Sequence, residues 1–225
     1  MPESGSIERC RLVLVLALDH PAVADGRLEE VLSGALTGGD VASVILSGEA
    51  TEGAEDAIVS AQAFGAAVMV TDPALLASAD GLHLPLGDPR LRVGSDPRAR
   101  SDEGALLGLG NIESRHAALE AGEREPAYVF FGRLHRDVKP EPHPRGLDLA
   151  RWWTTMVEVP AIVPGGSEVG SVRAVAATGA DFVAMSSAIF DANEPGVWEA
   201  GEAVRRANAL LDAAVESGEA PRFGT

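Results

Sequence analysis

Eight short apolar runs, seven of them followed by a stretch of helical character, constrain this chain more than any other feature. The runs span residues 12–18, 42–46, 66–71, 81–85, 105–110, 127–131, 160–164 and 181–186. Most are near-continuous in Val, Ile, Leu and Ala, a pattern that suits parallel strands covered on both faces. Amphipathic segments lie between them, at 26–37, 54–64, 73–79, 114–123, 147–157, 168–178 and 196–215. Leu28, Val31, Leu32 and Ala35 recur at i, i+3, i+4 and i+7, which makes one apolar helix face. Gly38-Gly39, Gly65 and Gly179 stand where such segments end and read as C-terminal caps. Strand–helix alternation repeated about eight times predicts an α/β fold of the (β/α)8 TIM-barrel type. An open doubly wound sheet is the alternative. Eight strands in 225 residues favour closure. A single domain is expected over residues 1–225, with the barrel at about 12–215 and a loose tail at 216–225.

In such a barrel the loops that follow strands gather at the C-terminal face, where active sites form. Two of these loops are long and irregular, 86–103 after strand four and 132–146 after strand six. The strongest local signal is Pro164-Gly165-Gly166-Ser167 after strand seven, paired with Ser186-Ser187 after strand eight. Loops at these two places often build a phosphate site from backbone N–H groups. Glycine lets the backbone approach an anion closely, and Ser187 adds a hydroxyl donor.

Charge sharpens this reading. The chain has 18 Lys+Arg against 34 Asp+Glu, for a net charge of −16. That balance argues against broad nucleic-acid or anionic-membrane binding, which needs an extended positive surface. It leaves room for a phosphorylated small molecule held at a local site. The acidity is uneven: residues 90–151, which include the loop after strand six, are close to neutral. Lys139 in that loop is the only lysine. Cys10 is the only cysteine, so an intramolecular disulfide or a thiolate metal cluster is excluded. The apolar runs are far shorter than the ~20 residues of a membrane-spanning helix, so a soluble, cytoplasmic protein is expected. A homodimer is compatible with a compact barrel.

Several stretches resemble the thiamine phosphate synthase and TenI-like family. They are Val-Pro-Ala-Ile-Val-Pro-Gly-Gly-Ser at 159–167, Ala-Ala-Thr-Gly-Ala-Asp-Phe-Val-Ala at 176–184 and Ser-Ala-Ile-Phe at 187–190. Ala-Asp-Gly-Leu-His-Leu at 79–84 and Tyr-Val-Phe-Phe-Gly at 128–132, followed by Lys139, agree with it. The resemblance covers roughly residues 12–192. It implies coupling of a hydroxymethylpyrimidine diphosphate to a thiazole phosphate, with release of pyrophosphate and with Mg²⁺ as cofactor. By position it places magnesium on Asp72 and Asp88, and a diphosphate-contacting catalytic lysine at Lys139. The phosphate cup falls on Gly165, Gly166, Ser186 and Ser187. Carboxylate oxygens suit Mg²⁺. Thr71-Asp72-Pro73 is equally a helix-capping sequence. His83, flanked by Leu82 and Leu84, reads as a satisfied core residue.

The chain also departs from the family. A Gln-x-Arg-x-Lys grip on the diphosphate is expected after strand two, but Ser47 stands for the arginine and Glu49 for the lysine. Each lost charge-assisted contact is worth about 1.5–3 kcal/mol. Thr71 replaces an asparagine, a Thr-x-Thr signature is missing before Lys139, and Gly110 stands near the place of a family serine. The histidine that tautomerases of the family use is absent near Ile112. His135, Arg136, His143 and Arg145 are candidate replacement cations. The residues alone leave three readings open: an active synthase, a diverged isomerase or tautomerase using the same cup, and a non-catalytic binder of a phosphorylated ligand.

Overall fold

The computed structural model describes residues 9–91, 104–191 and 197–223. Most of the loop expected at 86–103 therefore lies outside the described residues, as do position 196 and the end of the tail. The strands are β1 Arg11–Ala17, β2 Val41–Ser47, β3 Ala67–Val70, β4 Gly81–Pro85, β5 Leu106–Gly110, β6 Tyr128–Phe130, β7 Ala161–Pro164 and β8 Phe182–Met185. Each of the eight expected runs forms one of them. They pair in parallel and in chain order, and β1 pairs with β8 to close the barrel.

The strands' alternation separates two apolar layers. Val13, Val15, Ile45, Met69, Tyr128, Phe130, Ile162 and Ala184 fill the barrel interior. Their neighbours along each strand, such as Leu14, Leu46 and Val163, pack outward against the helices. The interior is too narrow for a large residue on every strand. A Cβ on Gly108 would lie 2.0 Å from the Tyr128 ring, and one on Gly110 would lie 2.5 Å from His83 Nε2. Absent side chains on β5 thus vacate the space that His83 and Tyr128 fill.

The outer layer contains α1 Leu28–Leu36, α2 Ala54–Ala63, α3 Arg115–Gly122, α4 Pro144–Trp153, α5 Val172–Ala176, α6 Ser187–Phe190 and α7 Val197–Glu216. Leu28, Val31, Leu32 and Ala35 are buried on α1, as their spacing requires. Three expectations need correction. The helix expected at 73–79 is only a 3-10 turn, Pro73–Leu75, capped by Asp72. The segment 168–178 is split between a 3-10 turn at Val169–Ser171 and the short α5. Helix α4 starts at Pro144 rather than 147, because His143 caps it and proline suits the first helical turn. The short α6 falls within the motif read only as a phosphate cup.

Candidate active site at the C-terminal mouth

Ser47, two residues beyond Ile45, and Ser186, two beyond Ala184, continue the inward alternation to the C-terminal end of the barrel. His135 spans them: its Nε2 lies 2.5 Å from Ser47 Oγ and its Nδ1 lies 3.3 Å from Ser186 Oγ. Its backbone φ is +55°, a conformation that side-chain-bearing residues adopt at a cost. Burial pushes the His135 imidazole below the ordinary histidine range, and Asp137, Asp19 and Asp191 partly oppose that shift.

The β7–β8 side brings together the residues read as a phosphate cup. Gly165 N–H donates to Ala184 O at 2.8 Å, and Gly166 N–H donates to Ser171 Oγ at 2.8 Å. Ser167 N–H donates to the Lys139 carbonyl at 2.6 Å. Ser186 and Ser187 both donate backbone N–H groups to one oxygen of Asp137, at 3.1 and 2.8 Å. The Ser187 hydroxyl lies 2.6 Å from the Asp137 carbonyl and 3.0 Å from the same carboxylate oxygen. Five N–H groups of this cup are therefore engaged within the chain. Lys139 contributes its backbone here, while its side chain is exposed beside a cleft of about 1060 Å³. Arg133, Arg136, His143 and Arg145 line the same cleft, with Glu113 and Glu141 as its carboxylates.

Asp72 and Asp88 lie across the ring, after β3 and β4. Asp72 Oδ1 accepts from Ala74 N–H at 2.9 Å and Oδ2 accepts from Ala50 N–H at 2.8 Å. These two donors hold its carboxyl below the usual carboxylate range. Asp88 is held low chiefly by Arg90, whose Nε and Nη2 donate to its two oxygens at 2.9 and 2.8 Å. Arg90 Nη1 also reaches Thr71 O at 3.5 Å. Arg90 lines a smaller cleft with Gly48, Glu49, Ala50, Thr71 and Asp72. Among the described residues no group of three His, Cys, Asp or Glu side chains is placed to share a metal ion. Asp72, half-buried and lining the smaller cleft, is a carboxylate of the type that suits a hard cation, whereas a metal at Asp88 would have to displace the Arg90 guanidinium.

His83 lies in the interior, as its apolar neighbours imply. Its Nδ1 is 2.9 Å from the Tyr128 hydroxyl, and burial lowers its pKa to about 4. Burial also raises the Tyr128 phenol. Asp137 and Arg90 are the mouth residues that sequence reasoning missed. A lone aspartate in an irregular loop carries no spacing signal, and Arg90 gains its role only from Asp88 two positions earlier. Among the described residues no helix is long and apolar enough to cross a membrane.

The comparisons with known proteins agree with this fold. The family model described as thiamine monophosphate synthase matches residues 14–189. A thiamine-phosphate synthase of Hyphomonas neptunium is 31% identical over 219 residues, which cover 91% of this chain and 95% of that protein. One from Rhodospirillum centenum is 31% identical over 199 residues, covering 81% and 90%. Among solved structures, thiamine phosphate pyrophosphorylase from Pyrococcus furiosus superposes with a TM-score of 0.67 at 18% identity, covering 92% and 98% of the two chains. A (S)-3-O-geranylgeranylglyceryl phosphate synthase from Thermoplasma acidophilum, in complex with sn-glycerol-1-phosphate, gives 0.62 at 16%, covering 91% and 94%. At these identities the structural likenesses speak for the fold.

Proposed function

The chain belongs to the thiamine monophosphate synthase family, and from that premise we propose that it couples a hydroxymethylpyrimidine diphosphate to a thiazole phosphate, releasing pyrophosphate. The observation that carries this reading is the extent of the family match, which runs from β1 through α6 and so includes both sides of the mouth.

The two sides divide the work. Around β2–β4, Arg90 brings a guanidinium to the cleft lined by Glu49, Thr71 and Asp72. Released from its pair with Asp88, it would supply there the positive charge that Ser47 and Glu49 do not, and so offset part of the repulsion a diphosphate would meet. Magnesium, the family's cofactor, would neutralise diphosphate charge when bound, with Asp72 as its carboxylate at the cleft and Asp88 joining once Arg90 withdraws. Around β6–β8, Lys139 projects from the loop, and Arg136 and Arg145 line the neighbouring cleft. These cations orient the anionic ends of the ligands and stabilise the charge that gathers on the departing pyrophosphate. The thiazole phosphate is assigned to the cup at Gly165, Gly166, Ser186 and Ser187. Holding both substrates in one mouth makes the coupling effectively unimolecular.

The test is a synthase assay with the full chain, both phosphorylated substrates and Mg²⁺, beside binding of each substrate alone. Pyrophosphate release that needs both substrates is expected. Binding of the thiazole phosphate without turnover would overturn the coupling reading, and binding of neither would remove the thiamine connection.

A further inference from the structure

The cup after β8 is already filled by the chain itself. Asp137 is 7% exposed, and a buried carboxylate is costly unless donors compensate it. Here two backbone N–H groups and a hydroxyl surround one of its oxygens. This is the donor arrangement that would receive an oxygen of a phosphoryl group. We infer that Asp137 is an internal competitor at the mouth, a carboxylate that occupies the Ser186–Ser187 donors so that phosphoryl ligands bind there only in competition with it. The inference rests on the reading that this mouth takes phosphorylated ligands.

The surrounding loop is built for local withdrawal. It is pinned downstream, where Ser167 N–H holds the Lys139 carbonyl and where a Cβ on Gly166 would lie 2.0 Å from Pro140 O. Upstream of that anchor, His135 has its φ of +55° and Val138 is 75% exposed. Residues 135–138 thus combine backbone strain with little apolar burial, and polar contacts alone hold them: those of Asp137 and those of His135 to Ser47 and Ser186. Segments of that kind open at low cost. Asp137 can leave the cup by rearranging this short stretch while Lys139 and Pro140 keep their places. A ligand that needs the open form binds more weakly by the fraction of time the cup is open.

Titration of the full-length protein with inorganic phosphate, at constant ionic strength, tests this. Wild type, D137A and D137N are compared by calorimetry, with the Ser186 and Ser187 amide resonances as the site-specific readout. Phosphate is expected to bind D137A at least tenfold more tightly than wild type and to shift those two amides. D137N keeps the shape and loses the charge, so it should fall between. Should D137A fail to fold, D137N against wild type carries the comparison. Equal or weaker phosphate binding by the folded variants would overturn the inference, even if wild type turns over both substrates. Loss of the coupling reading in the synthase assay, with the phosphate gain intact, would leave the competition standing.

Discussion

Ser47 Oγ and His135 Nε2 lie 2.5 Å apart, so the end of β2 is tied to the loop after β6 across the barrel mouth. The family's strand-two arginine would project from the Ser47 position. The serine is short enough to let the histidine in, and the loop that carries His135 also carries Asp137. A change at β2 and a change in the loop after β6 are thereby coupled.

Restoring the family pattern should restore the grip on the diphosphate. The double variant S47R/E49K is expected to lower KM for the pyrimidine diphosphate by at least tenfold. One regained charge-assisted contact is worth about 1.5–3 kcal/mol, and about 1.4 kcal/mol is a factor of ten. Steady-state kinetics measure it. An unchanged KM would show that Arg90 already meets the requirement, and a higher one that displacing His135 from Ser47 costs more than the restored contacts return.

His135 makes anion binding pH-dependent. Its pKa is lowered in the free protein, and a nearby phosphoryl group would raise it by favouring the imidazolium. Binding then takes up a proton, so affinity for inorganic pyrophosphate increases as pH falls through the pKa of the bound state. Calorimetry in buffers of different ionisation enthalpy should show proton uptake in wild type that H135N lacks. Equal uptake in both proteins would assign the proton elsewhere.

If Asp88 serves as a magnesium ligand, Arg90 and the metal compete for it. Replacing Arg90 with alanine removes the two side-chain donors that bracket the carboxylate. R90A should then gain a larger Mg²⁺-dependent rise in melting temperature than wild type, while its KM for the diphosphate increases. A Mg²⁺ response identical in the two proteins would count against Asp88 as a ligand.

Gly166 is required by contact. Its φ is not in the left-handed region, so G166A acts through the Cβ placed 2.0 Å from Pro140 O. The loop must move, at a cost of about 1–3 kcal/mol. Denaturant unfolding should show that loss, with faster proteolysis within residues 133–143. G170A is the control, since nothing lies within 4 Å of its Cβ. Equal stability of G166A and G170A would refute the contact.

His83 gives the fold an acid-sensitive term. Its pKa falls from 6.5 to about 4 on burial. Between those values the unfolded chain binds a proton that the folded one does not, so stability falls as pH drops from about 6.5 towards 4. The full effect is on the order of 3 kcal/mol. H83Q should show a shallower loss over this interval than wild type, in parallel urea titrations from pH 7 to 4. Identical slopes would show that the carboxylates account for the whole acid response.

Most of the barrel was legible in the sequence because strand burial is a local pattern. Runs such as Leu12–Leu16 are apolar at every position, and a strand covered on both faces has no other composition. The register of α1 was equally plain from Leu28, Val31, Leu32 and Ala35. The turn at Pro73–Leu75 was misread as a helix because a good cap, Asp72-Pro73, says where a helix can begin and nothing about how far it runs. The resemblance also drew attention to the loops after β7 and β8, and Gly165, Gly166, Ser186 and Ser187 do meet on one side of the mouth.

By itself, the sequence determined the eight strands and favoured their closure, since both follow from hydrophobic period and chain length; the pairing of β1 with β8 settled it. Tertiary structure alone decided who partners whom inside that mouth. Asp137 finds the N–H groups of Ser186 and Ser187 some 50 positions away, and His135 reaches Ser47 across 88 positions. Such pairings depend on loop conformation and on the pleat at a strand end. No local pattern encodes them, because a carboxylate in a loop looks the same in sequence whether it faces solvent or fills a cup of donors.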